Sequence, residues 1–185
     1  AIDGRGVTTH IIGEGYFVAK HITNPDPETG QGDAAADWTF GSLGVELGIN
    51  KTTGELHLYR LLSAIDGGCI INPQLAKDQV IGAMTMALGS TLSEAIVFGK
   101  EGNIRNKNLA DYKAPGIEDI PDNFEVYFIE TPEKTGPYGA KGIGEHGTLA
   151  VAPAILNAVY DAIKVDFYEL PVTAEKISQA LQGGI

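Results

Sequence analysis

The sequence carries one cysteine, Cys69, in 185 residues. An internal disulfide is thereby excluded, as is a zinc or iron–sulfur site ligated by cysteines of this chain alone, and the count suits a reducing compartment. Basic residues are also scarce: 13 Lys and Arg stand against 24 Asp and Glu, for a net charge of -11. No Lys/Arg cluster exists to bind nucleic acid or an anionic membrane. Long apolar runs are missing too, so no segment reads as a membrane span. The first residues have no signal-peptide pattern, and a soluble, cytoplasmic protein is the expectation. The four histidines, His10, His21, His57 and His146, lie too far apart for metal-ligand spacing. What remains is a globular composition, 43% hydrophobic and 20% charged, with enough chain for one domain over residues 1–185 and a real core.

Residues 1–22 alternate short β-prone pieces with glycine. The stretch TNPDPETGQGDAAAD that follows has two prolines, acids and glycines without apolar period, and is a loop. From Trp38 the chain alternates, with Val45, Leu47 and Ile49 on one side. KTTG makes a turn, and the return strand ELHLYRLLSAID places Leu56, Leu58 and Arg60 on one face, a β-hairpin pattern. Asn72 and Pro73 then open a helix as cap and first residue. Val80, Met84, Ala87 or Leu88, Thr91 and Ala95 recur at helical spacing as its buried stripe, and the methionines read as core residues. Gly82 and Gly89 inside this helix cost roughly 1 kcal/mol each relative to alanine, which predicts close packing on its backbone. FEVYFIET reads as a strand. A helix carrying Ile155, Leu156, Val159 and Ile163 follows, and then a short one, TAEKISQAL, capped by its Thr. The expected fold class is α+β, a β-hairpin within a mixed sheet packed with helices.

Residues 139–147, GAKGIGEHG, hold four glycines in nine positions around Lys141 and Glu145. Gly142, Gly144 and Gly147 match the spacing of the dinucleotide fingerprint. That motif needs a strand running straight into its first glycine and a set of alternating strand and helix units; here Pro132 and Pro137 intervene. A plain strand-to-helix connection would explain one or two of the glycines, with Glu145 as a helix N-terminal charge. A site loop would use them all: a planar or anionic ligand lies on bare N–H groups, and Glu145 faces it as a general base. A dry pocket would disfavour its charged form and raise its pKa toward working pH.

The segment GPYGAKGIGEHGTLAVAPAILNAVYDAI resembles the C-terminal signature of the molybdenum hydroxylases, the family of xanthine dehydrogenase and aldehyde oxidase. DPETGQG, the paired strands from Trp38 to Asp66, DGGCIINP, DQVIGAMTMALGSTLSE, DYKAP and ELPVTAEKISQAL fall in the order and at roughly the spacing of that family's large subunit. The resemblance implies a molybdenum–pterin cofactor (molybdopterin, with or without a cytosine nucleotide). It assigns Glu145 as the base that takes a proton from the metal-activated oxygen. Ala140, Lys141, Gly142, Ile143 and Gly144 match the loop running beside the pterin, and Gln79 matches a glutamine that contacts the cofactor. No residue is implied as a ligand of the metal.

In place of the paired prolines that follow the glutamate in many purine- and aldehyde-oxidising members, this sequence has His146 and Gly147. It also begins partway through the family's domain, so a C-terminal fragment of the molybdopterin-binding subunit is expected. Its expected partners are the upstream part of that subunit and domains or subunits carrying [2Fe-2S] clusters and FAD, in an oligomeric assembly. The implied reaction hydroxylates an electron-poor carbon of a purine, another N-heterocycle or an aldehyde, with water as oxygen source. A non-catalytic assembly module of the same fold, binding no molybdenum, and a nicotinamide-binding domain are the alternatives.

Overall fold

The structure, a computed structural model, describes residues 12–18 and 22–183. The chain falls into two compact units, Ala1–Ala36 and Asp37–Ile185. Within the first, residues 12–18 form no strand, while most of the β-prone pieces expected over 1–22, with His10 and His21, lie outside the described residues. DPETGQG is the expected loop, wound on Asp26: its Oδ1 accepts from the N–H of Glu28 at 2.8 Å and of Thr29 at 2.9 Å. This is an Asx turn, in which a short carboxylate substitutes for a backbone acceptor.

The second unit is built on a three-stranded mixed sheet of order β1-β2-β3. Strands β1 (Gly41–Ile49) and β2 (Leu56–Asp66) form the expected hairpin. Its turn is held by Asn50, whose Oδ1 accepts from the N–H of Thr52 at 2.9 Å. The alternation of β2 changes phase partway. Glu46 pairs with Arg60 and Leu47 with Leu58, leaving Tyr59 as a bulge. An extra residue in one strand shifts every later side chain to the opposite face. Leu58, Leu61, Ser63 and Ile65 are therefore buried, and Arg60, expected beside Leu58, is exposed and bonds Glu125 through Nη2 at 2.7 Å. Strand β3 (Asn123–Ile129) runs parallel to β2. A parallel neighbour requires a crossover, and helix α1 (Pro73–Leu92) lies within it.

The start of α1 follows the expected chemistry, with Asn72 Oδ1 accepting from Leu75 N–H at 3.1 Å and Pro73 at the first position. Val80, Met84, Ala87, Leu88 and Thr91 form its buried face. Two expectations fail here. Ala95 lies beyond the helix and is exposed, because the chain turns at Ser93 and Glu94, whose N–H groups both bond Gly89 O. Met86 is 62% exposed, two residues off the stripe that buries Met84. Gly89 is crowded by Glu94 and Pro115 as expected, whereas nothing lies within 4 Å of a side chain at Gly82.

After β3 come a short α2 (His146–Leu149), α3 (Val151–Ile163) and α4 (Ala174–Leu181). Thr173 caps α4, as its sequence indicates. Leu61 and Ile65 of β2, Val80, Met84 and Leu88 of α1, and Val151, Ile155 and Val159 of α3 form one continuous core. The α+β class is thus the observed one. Among the described residues no helix is long and apolar enough to cross a membrane.

Candidate functional site

The carboxyl ends of β2 and β3 and the glycine loop meet at one edge of this core. Asp66 closes β2, and Gly67 to Ile70 continue from it. Gly68 pairs as an antiparallel bridge with Ala140, and the neighbouring bonds, Cys69 N–H to Gly139 O at 2.8 Å and Lys141 N–H to Gly67 O at 3.0 Å, fix the register. The loop is thereby laid along the DGGC segment. Farther on, Thr39 Oγ1 donates to Gly142 O at 3.0 Å, and Gln79 Nε2 donates to Gly144 O at 2.7 Å.

A cleft of about 260 Å³ results, whose lining includes Gly67, Cys69, Asn72, Gln79, Ala140, Lys141 and Ile143. Four of the six residues proposed from sequence as cofactor contacts are therefore on its wall, brought together from α1 and the loop. Gly142 and Gly144 carry the hydrogen bonds to Thr39 and Gln79 beside them. Lys141 is placed differently from an open loop residue. Its side chain turns inward, with Nζ 2.7 Å from Asp66 Oδ2 and 2.9 Å from Thr131 Oγ1. The two charged side chains retain 8% and 11% of their exposure. Asp66 also accepts from Gly68 N–H at 3.1 Å, Thr131 N–H at 3.2 Å and the Thr131 hydroxyl. Lys141, with Thr131 next, holds the Asp66 carboxyl well below the usual carboxylate range.

Two of the loop's glycines are explained by this chain's own packing. Gly139 has φ +80, in the left-handed region that a side chain disfavours. Gly147 lies on α1, where a Cβ would come 2.7 Å from Val80 O. Gly142 and Gly144 have neither reason: a Cβ there meets nothing within 4 Å, and φ is outside the left-handed region. Among the described residues, the N–H groups of Gly142, Ile143, Gly144 and Glu145 donate to no acceptor. The loop thus offers a run of bare donors with no side chains on two of them, the surface a planar or anionic group requires.

Glu145 ends that run. It occupies the position before α2 without capping it through its side chain, while its carbonyl accepts from Thr148 N–H at 3.0 Å and Thr148 Oγ1 at 2.7 Å. The carboxylate is exposed, so the dry surroundings expected for it are not built by the described residues. His146 points the other way. Its Nδ1 is buried without a hydrogen-bond partner among the described residues, beside a second cavity lined in part by Ser42 and Ser63. Sequence inspection missed Asp66, Thr131 and Thr39. Asp66 lies in the DGGCIINP stretch that carries part of the family resemblance, but no role was read for it there.

The family model for the molybdopterin cofactor-binding domain matches residues 6–121, and the chain belongs to that family. It is 38% identical over 143 residues to a probable hypoxanthine oxidase of Escherichia coli, covering 77% of this chain and 15% of that protein. It is likewise 38% identical over 144 residues to the molybdenum-binding subunit of an aldehyde oxidoreductase of Escherichia coli, covering 77% and 20%. Among solved structures, the aldehyde oxidoreductase of Desulfovibrio gigas superposes with a TM-score of 0.78 at 31% identity, over 87% of this chain and 17% of that one. The chain thus spans 15 to 20% of the length of these curated relatives. The resemblance to the molybdenum hydroxylases is borne out, and with it a molybdenum–pterin cofactor. The bare donor run at 142–145 and the two unfilled glycines fit such a group.

Proposed function

We propose that this chain forms one wall of the molybdenum–pterin pocket of a hydroxylase that oxidises an electron-poor carbon of a purine, another N-heterocycle or an aldehyde. The observation that carries this reading is the Gln79–Gly144 hydrogen bond, which joins α1 to the glycine loop through a carbonyl and leaves the N–H groups of residues 142–145 without an acceptor among the described residues. Gln79, Ala140, Ile143 and the backbone of Gly142 and Gly144 hold the cofactor. Lys141 belongs with them through its backbone, its side chain being occupied by Asp66. When bound, the cofactor supplies a water-derived oxygen and accepts two electrons.

Glu145 is the general base. Its carboxylate stands free at the end of the donor run, on a residue whose backbone is fixed by Thr148, and it takes up the proton released as oxygen is delivered to the substrate. Electrons leave through [2Fe-2S] and flavin centres on other domains or subunits of an oligomeric, cytoplasmic enzyme. The purine and aldehyde names of the relatives support this substrate range.

Glu145→Gln in the complete enzyme tests the assignment. Molybdenum content stays at the wild-type level and turnover falls by about 10²- to 10⁴-fold, the range for a lost general base. Turnover that survives removes Glu145 from the role. A complete protein that folds without molybdenum, in a host able to make the cofactor, selects the assembly module instead.

A further inference from the structure

We infer that Asp66, acting with Lys141 and Thr131, is a positioning device that sets the glycine loop in place, and that the Lys141 side chain serves the site through Asp66 and not through the cofactor. The inference rests on the cofactor-wall reading above. Three segments far apart in sequence converge on one carboxylate: the end of β2 at Asp66, the chain leaving β3 at Thr131, and the loop at Lys141. Lys141 is the only charged side chain of residues 139–144, and its ammonium is engaged by Asp66 and Thr131. Asp66 in turn receives the Gly68 N–H, beside the Gly68–Ala140 bridge. The ion pair and the bridge therefore grip the same point of the loop, one residue before its donor run begins.

Burial of a lysine and a carboxylate is not a cheap route to stability. Taking both charges from water costs about as much as their attraction returns, and uncharged substitutes of similar size are often as stable. Such a pair instead fixes geometry, since each charge excludes any arrangement that leaves the other alone. Asp66 saturates its oxygens with Lys141 Nζ, two N–H groups and a hydroxyl, which leaves one arrangement of the three segments.

The test uses the complete enzyme and four variants: Asp66→Asn, Lys141→Met, their combination, and Lys141→Arg. Asn retains an acceptor for Gly68 and Thr131, and Met retains most of the length of Lys without its charge. Amide hydrogen exchange is followed in the peptide covering 139–147, alongside kcat, KM and thermal unfolding. In the double variant the melting temperature stays close to wild type, exchange in 139–147 rises about tenfold relative to the α3 peptide, and kcat falls about tenfold with KM nearly unchanged. Each single variant loses at least as much, and the combined effect is smaller than the sum because one linkage is broken twice. Lys141→Arg recovers part of kcat. Unchanged exchange in 139–147, or a melting temperature of the double variant that falls in step with its kcat, overturns the inference. The exchange readout does not depend on Glu145, so a failed base assignment leaves it standing.

Discussion

At the scale of single residues, what a side chain does here depends on partners that sequence spacing does not reveal. Lys141 and Glu145 are both charged residues among glycines, and the sequence offers no way to tell them apart. The fold separates them: Lys141 turns inward to Asp66, 75 residues earlier, and Glu145 stays exposed. The pair has a pH signature of definite sign. The Asp66 pKa is depressed in the folded state, so its contribution is fully present above the unfolded value of about 3.9 and is lost as pH falls through the lower folded one. Thermal unfolding of wild type and Asp66→Asn should therefore show a gap in Tm at pH 7 that narrows once pH drops below about 4. A gap that stays constant into acid would detach that stability from the carboxylate's charge. Gln79 is the opposite case. The family resemblance implied a cofactor contact for it, and its bond to Gly144 O puts it at the cleft while giving its amide a partner within the chain.

At the scale of elements, local chemistry was legible and pairing was not. Asn72 and Pro73 announce the start of α1, and the structure has that cap. Asn72→Ala should cost about 1 kcal/mol in denaturant unfolding, the usual price of a lost N-cap. The hairpin was legible from its alternation and its KTTG turn. The bulge at Tyr59 was not, because it depends on what β2 must bury beyond Leu58, and Arg60 changes face as a result. Nor does FEVYFIET say whether it runs parallel or antiparallel. The α1 stripe extended on paper to Ala95, yet the N–H groups of Ser93 and Glu94 both turn back to Gly89 O and the helix ends at Leu92. Gly82 gives an element-scale prediction of its own. It is exposed in the helix interior with open space around it, so Gly82→Ala should stabilise the chain by up to about 1 kcal/mol. A loss of stability in the complete protein would mean that another segment lies against α1 there.

At the scale of the whole molecule, one core of sheet, α1 and α3 holds a loop whose two ends are fixed by different means. One end is gripped at Asp66 and Gly68, the other by Gly147 packed on α1. Between these anchors lie Glu145 and four N–H groups without an acceptor among the described residues, so rigidity at the ends leaves the donor run free in the middle. Family membership was readable because many short motifs keep their order along the chain. The exposed setting of Glu145 was not, since the motif carries the residue and not its surroundings. The central claim is that the backbone of Gly142 and Gly144 lies against the cofactor, and molybdenum content tests it directly. Elemental analysis of the complete protein, from a host that makes the cofactor, should give near-stoichiometric molybdenum for wild type and little for Gly144→Leu. Both proteins should unfold alike, because a Cβ at that position meets nothing within 4 Å among the described residues. Full molybdenum in a folded Gly144→Leu would contradict the account.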